Sequence, residues 1–133
     1  KQVIECKTIN ELFDNRGHVI IHYSYDGSMD NAHWICIIRN INNGPKYIYF
    51  FDSFGLDNVL SNDKSLMDHL ITLCRNDKYI FYANDKEFQN KESNACGRYC
   101  LLIYALNKIN QTPKQIEEVL KKLPENKMIQ MIS

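Results

Sequence analysis

Three stretches of the chain are apolar almost without interruption: His18 to Tyr25, His33 to Arg39 and Lys46 to Asp52. Each is rich in β-branched and aromatic residues and too short for an ordinary helix, so the pattern predicts strands. Turn chemistry separates them, Asp26-Gly27-Ser28 after the first and Asn42-Asn43-Gly44-Pro45 after the second. The second and third runs barely alternate, which implies a sheet covered on both faces. Only the strand ends then reach solvent. Lys78 to Tyr82 predicts a fourth, shorter strand.

Elsewhere the apolar positions recur at helical spacing. Leu66, Leu70, Ile71 and Leu73 predict a helix from Asn62 to Cys74, with Asn62 and Asp63 as caps. Thr8-Ile9-Asn10-Glu11 is a capping box that opens a short helix through Phe13, broken by Gly17. Thr112-Pro113-Lys114-Gln115 is a second, with proline at the first helical position. Ile116, Val119, Leu120 and Leu123 form the apolar face of that helix, and Pro124 stops it. From Tyr99 to Leu106 every residue is apolar or aromatic, which predicts a helix buried on most sides, with Tyr99 and Tyr104 in the core. The expected fold class is α+β. A small antiparallel-rich mixed sheet packs against helices, with a buried central helix starting at Cys96, in a single domain over residues 1–133.

Composition narrows the function classes. Sixteen basic residues balance sixteen acidic ones, so the total charge gives no draw towards nucleic acid or an anionic membrane. No apolar run approaches a membrane span. Five cysteines are an odd number in a chain large enough to build its own core, which points to a reducing compartment rather than a disulfide scaffold. Cys96 and Cys100 lie at i, i+4 without the Cys-x-x-Cys pairing of a closed zinc site, and Cys36 and Cys74 sit in apolar runs that look like core. Neither metal nor cofactor is expected.

Chemistry concentrates at the strand ends and at the start of the central helix. Cys96-Gly97 falls where the polar loop Phe88 to Ala95 turns into the apolar helix. A helix N-terminus favours thiolate over thiol, and Gly97 keeps bulk away from the sulfur. Free cysteine is also among the most buried residue types, so on this stretch alone Cys96 reads as packing. His33 at the start of one strand and Asp52 at the end of the next change that balance. A hairpin brings those two ends side by side. With Gln89 before the helix, the chain holds a nucleophile, a base, an orienting carboxylate and an oxyanion donor. His22 on the first strand is the rival base, and Asp30 in the preceding turn the rival carboxylate; neither has an accompanying motif. Trp34, beside the base, reads as core or as a wall of the substrate cleft. Cys100 reads as packing.

The set His33-Trp34, Phe51-Asp52-Ser53-Phe54-Gly55, Gln89 and Ala95-Cys96-Gly97-x-x-Cys100 resembles the adenovirus protease (adenain) family, in the clan that includes the SUMO-specific proteases. The interval from Gln89 to Cys96 and the phrase Asp-Ser-Phe-Gly are closer to the adenovirus branch. Asp52 stands where adenovirus enzymes have Glu and the SUMO branch has Asp. The resemblance implies a cysteine endopeptidase with a polypeptide substrate, acting as a monomer inside the host cytoplasm or nucleus and packaged in the virion. It implies catalytic roles for His33, Asp52, Gln89 and Cys96 and a substrate-binding role for Trp34. The shorter chain points to a smaller viral, virophage or transposon-encoded relative. Adenovirus enzymes are activated by DNA and by a viral peptide disulfide-linked early in the strand before the Gln loop. Here that region reads Lys78-Tyr79-Ile80, without cysteine, and the net charge is zero, so neither activator is carried over.

Three functions are compatible with these residues: a maturation protease cutting capsid precursors at glycine-containing sites, a protease removing ubiquitin-like modifiers, and an inactive binding module of the same fold. The adenovirus-like spacing favours the first, and the complete set of four counts against the third.

Overall fold

A computed structural model describes residues 3–24, 32–41, 44–90 and 92–132. The described chain is α+β, a four-stranded mixed sheet in the order β1-β2-β3-β4 with helices on both faces. The strands are β1 (His18–Ser24), β2 (Ala32–Asn40), β3 (Tyr47–Phe51) and β4 (Ile80–Ala83). β1–β2 and β2–β3 are antiparallel, and β3–β4 is parallel. The predicted turns at Asp26-Gly27-Ser28 and Asn42-Asn43 lie outside the described residues, as does Asp30.

Side-chain alternation along β2 and β3 divides the core in two. Ile35, Ile37, Ile48 and Phe50 face α1 (Ile9–Phe13), α2 (Leu56–Asn62) and α3 (Lys64–Asn76). Cys36, Ile38, Tyr49 and Phe51 face α4 (Cys96–Lys108), α5 (Pro113–Lys122) and α6 (Glu125–Met131). Both faces of the two central strands are therefore buried, as the unbroken apolar runs require. The Tyr49 hydroxyl, 3.2 Å from the Glu117 carboxylate, fastens α5 to β3.

Helix boundaries follow local chemistry. Thr8 accepts the Glu11 N–H and so caps α1, while Glu11 reaches back to the Lys7 N–H, one residue beyond the partner a full capping box would use. Asp14 and Asn15, both left-handed, end that helix before Gly17 is reached. Asp63 caps α3, and Thr112 with Gln115 completes the capping box of α5. Pro124 ends α5 but also serves as the N-cap of α6, a helix the pattern reading had not expected.

Three expectations about burial need correction. The central helix α4 is not buried on most sides: Leu101 is 51% exposed and Ala105 is exposed, because β2 covers only its inner face. Tyr104 is half-buried, tilted against the His18 ring at 4.1 Å, rather than in the core. Val119 on α5 faces solvent. No described helix is long and apolar enough to cross a membrane.

Candidate active site

The antiparallel register pairs Cys36 with Phe51, so the start of β2 and the residues just past β3 lie together at one end of the sheet. His33 and Asp52 occupy those two ends. Asp52 is the first residue after β3 and is completely buried. Its Oδ1 lies 2.6 Å from His33 Nε2 and also accepts the Phe54 N–H at 2.8 Å. Its Oδ2 accepts from Asn58 on α2 at 3.2 Å. The His33 ring is stacked on Phe54, centroids 4.8 Å apart, and is 5% exposed. The imidazole is thus gripped on its Nε2 edge and on one face. Nδ1 is left outside the Asp52 contact, and Cys96 lies near enough for the imidazole and the thiol to shift each other's titration.

Cys96 opens α4 at the same end of the sheet. The Trp34 N–H points at its sulfur from 3.5 Å, and the neighbouring Gly97 N–H also favours the thiolate. Ala95, the N-cap residue, supplies no side-chain hydrogen bond to the helix start. Burial works against a thiolate here, but the His33 hydrogen bond, the two N–H groups and the imidazolium charge outweigh it, and the Cys96 pKa is lowered. His33 shows the complement. Burial lowers its pKa, the hydrogen bonds and charges of Asp52 and Cys96 raise it, and the balance is about 9. Both shifts run in the direction of a thiolate–imidazolium pair.

The other thiols differ. None of the five cysteines is in a disulfide, and burial pushes Cys36 up to about 12 and Cys74 to about 11, and it raises Cys100 strongly. Cys100 lies inside the core between α4 and the sheet, which matches its reading as packing.

Gln89 is buried, and both ends of its amide are engaged. Oε1 accepts the Ser53 hydroxyl, and Nε2 donates to the Ser93 carbonyl at 2.9 Å. The second Nε2 proton has only a 3.4 Å contact with Ser93 Oγ, beyond ordinary hydrogen-bond length. Gln89 therefore sits in the loop leading to Cys96 with one N–H weakly committed. Trp34 is 38% exposed, and its indole lies over Gly97, where an added Cβ would come within 3.3 Å of the ring. His22 pairs with Trp34 through the β1–β2 backbone, and its side chain is outside the described residues.

Sequence reasoning missed Asn84. Buried just past β4, its side chain accepts the Asp52 N–H at 3.0 Å and donates to the Asp52 carbonyl at 2.6 Å. The side chain thereby extends the β3–β4 ladder by one rung and fixes the backbone that carries the carboxylate. Asn58 and Phe54 were missed as well. For Asn84 and Asn58 an isolated asparagine beside a turn gives no signal, whereas Phe54 lies within the Asp-Ser-Phe-Gly phrase. Among the described residues, no three His, Cys, Asp or Glu side chains are grouped to hold a metal ion. The chain matches no protein-family model, no curated protein and no solved structure.

Proposed function

We propose that the chain is a cysteine endopeptidase of the adenain-like fold, with Cys96 as nucleophile, His33 as proton carrier, Asp52 as orienting carboxylate and Gln89 as oxyanion donor. One observation carries this reading. A buried carboxylate 2.6 Å from one histidine nitrogen leaves the other for a thiol whose pKa is lowered at a helix start. Structural histidines and buried cysteines occur singly, but this relay has direction.

The Cys96 thiolate attacks the scissile carbonyl carbon. The negative charge moves to the carbonyl oxygen, which accepts hydrogen bonds from the weakly committed Nε2–H of Gln89 and the backbone N–H of Cys96. The tetrahedral intermediate collapses as His33 gives its Nδ1 proton to the leaving amine, and a thioester remains on Cys96. Water, deprotonated by the now neutral His33, hydrolyses the thioester and restores the ion pair. Asp52 holds the imidazole in the tautomer and orientation that both transfers need.

Trp34 bears on the substrate. An indole beside the base and over Gly97 narrows the approach to the sulfur, so a backbone without Cβ comes closest. Extended segments with paired or near-paired glycines fit such a cleft, and capsid precursors are the substrate class that the resemblance implies. Incubation with candidate capsid precursors and ubiquitin-like conjugates in parallel tests this. Cutting of precursors at glycine-containing sites, abolished in Cys96→Ala, is the expected result. Cutting of the conjugates alone would move the chain to the modifier-removing branch, and no hydrolysis of either by folded protein would contradict the enzyme.

A further inference from the structure

Residue 53 makes three hydrogen bonds to the loop before Cys96, one to Phe88 and two to Gln89. The Ser53 carbonyl accepts both the Phe88 N–H at 2.8 Å and the Gln89 N–H at 3.0 Å, and the Ser53 hydroxyl donates to Gln89 Oε1. Ser53 and Gln89 are both almost fully buried, at 1% and 2% exposure, so water does not compete for these bonds. Ser53 is also covalently next to Asp52. The residue that orients the base and the residue that holds the amide are thus consecutive.

The hydroxyl has a specific consequence for the amide. A carbonyl cannot donate, so the Ser93 carbonyl fixes which end of Gln89 is Nε2. The Ser53 hydroxyl completes the other end by donating to Oε1. Withdrawing electron density from Oε1 makes the Nε2 protons better donors, since hydrogen bonds in a chain polarise one another. The two backbone bonds set where Gln89 sits, and the hydroxyl sets how its amide is turned and how strongly it donates.

We propose that Ser53 is a positioning residue for catalysis, acting through Gln89 by orienting and polarising its amide; this rests on the oxyanion role given to Gln89 above. Ser53→Ala removes only the hydroxyl, because both backbone bonds survive the substitution. Without it Oε1 is buried unpaired, and the amide gains a reason to rotate.

The test uses the full chain and a fluorogenic peptide amide ending in Gly-Gly, with single and double variants. Ser53→Ala is expected to lower kcat by about tenfold to a hundredfold with KM little changed, somewhat less than the loss of the donor itself. Ser53→Cys, which keeps a weak donor at similar size, is expected to fall between wild type and Ser53→Ala. The Ser53→Ala, Gln89→Ala double variant is expected to be no slower than Gln89→Ala, because one route is lost in both. The rate of inactivation by iodoacetamide, which needs the Cys96–His33 pair but no oxyanion donor, is expected to stay at the wild-type value in all of them. Full kcat in Ser53→Ala with Gln89→Ala impaired would overturn the role of Ser53 alone. Losses that multiply in the double variant, or a fall in the inactivation rate matching the fall in kcat, would show a merely structural role and overturn it too. Full kcat in Gln89→Ala would instead remove the oxyanion reading on which the proposal stands.

Discussion

Asp52 is the most constrained side chain of the site: its two oxygens accept from His33, Phe54 and Asn58, and its backbone is clamped by Asn84. Asp52→Asn keeps an oxygen for His33 and removes the charge that favours the imidazolium. Turnover is expected to fall on the order of 10²–10⁴-fold with the fold intact, measured as kcat beside a thermal melt; unchanged turnover would dismiss the orienting role. The titration has a definite sign. The folded His33 pKa, about 9, lies above its ordinary 6.5, so the stability it contributes is complete below 6.5 and is lost as pH rises through about 9. Cys96 runs the other way. Its folded pKa lies below the ordinary 9.0, so its contribution is present above 9.0 and lost as pH falls through the lowered value. The ion pair spans the window between them. A pH–rate profile for peptide hydrolysis is expected to show its basic limb near 9, and in Asp52→Asn that limb is expected to move to lower pH.

At the scale of elements, the site depends on chain segments passing close to one another. Gly55 has φ +89°, and a Cβ there would lie 2.8 Å from the Asp85 carbonyl, so the loop leading to Gln89 runs directly over the start of α2. Both conformation and space demand glycine, which gives a physical reason for the last residue of the Asp-Ser-Phe-Gly phrase. Gly55→Ala is expected to destabilise the fold by roughly 1–3 kcal/mol, read as a lower urea midpoint at unchanged slope, and an unshifted midpoint would contradict the close approach. Elements with strong local signals were legible: the apolar strands, the Asp63 cap and the Thr112 capping box. Helix α2 was not, because Asp57, Asn58, Ser61 and Asn62 are turn formers; tertiary contacts hold it, with Val59 buried in the core and Asn58 on Asp52. Helix α6 carried a usable signal in Met128, Ile129 and Ile132, which pack on the inner cluster, but it was masked by taking Pro124 only as a stop.

For the whole molecule, the two-sided core leaves the sheet ends as the places where polar side chains from different segments can meet. That much was legible, because unbroken apolar strands imply it, and so the pairing of His33 with Asp52 across a hairpin could be read from sequence. The supporting bonds could not: Asn84 meets Asp52, and Ser53 meets Gln89, across 32 and 36 residues of chain, and no local pattern records such contacts. The burial of α4 was overread for a similar reason, since an apolar run does not reveal which face a sheet will cover. The central claim is that His33 activates Cys96, and the most direct measurement is the pH dependence of Cys96 alkylation by iodoacetamide, followed by mass mapping in wild type and His33→Ala. Cys96 is more exposed than the other four thiols, so labelling order alone decides nothing. Wild-type Cys96 should react with an apparent pKa well below the ordinary thiol value, and His33→Ala should return the profile towards that value. A wild-type Cys96 that titrates as an ordinary thiol, unchanged by His33→Ala, would contradict the claim.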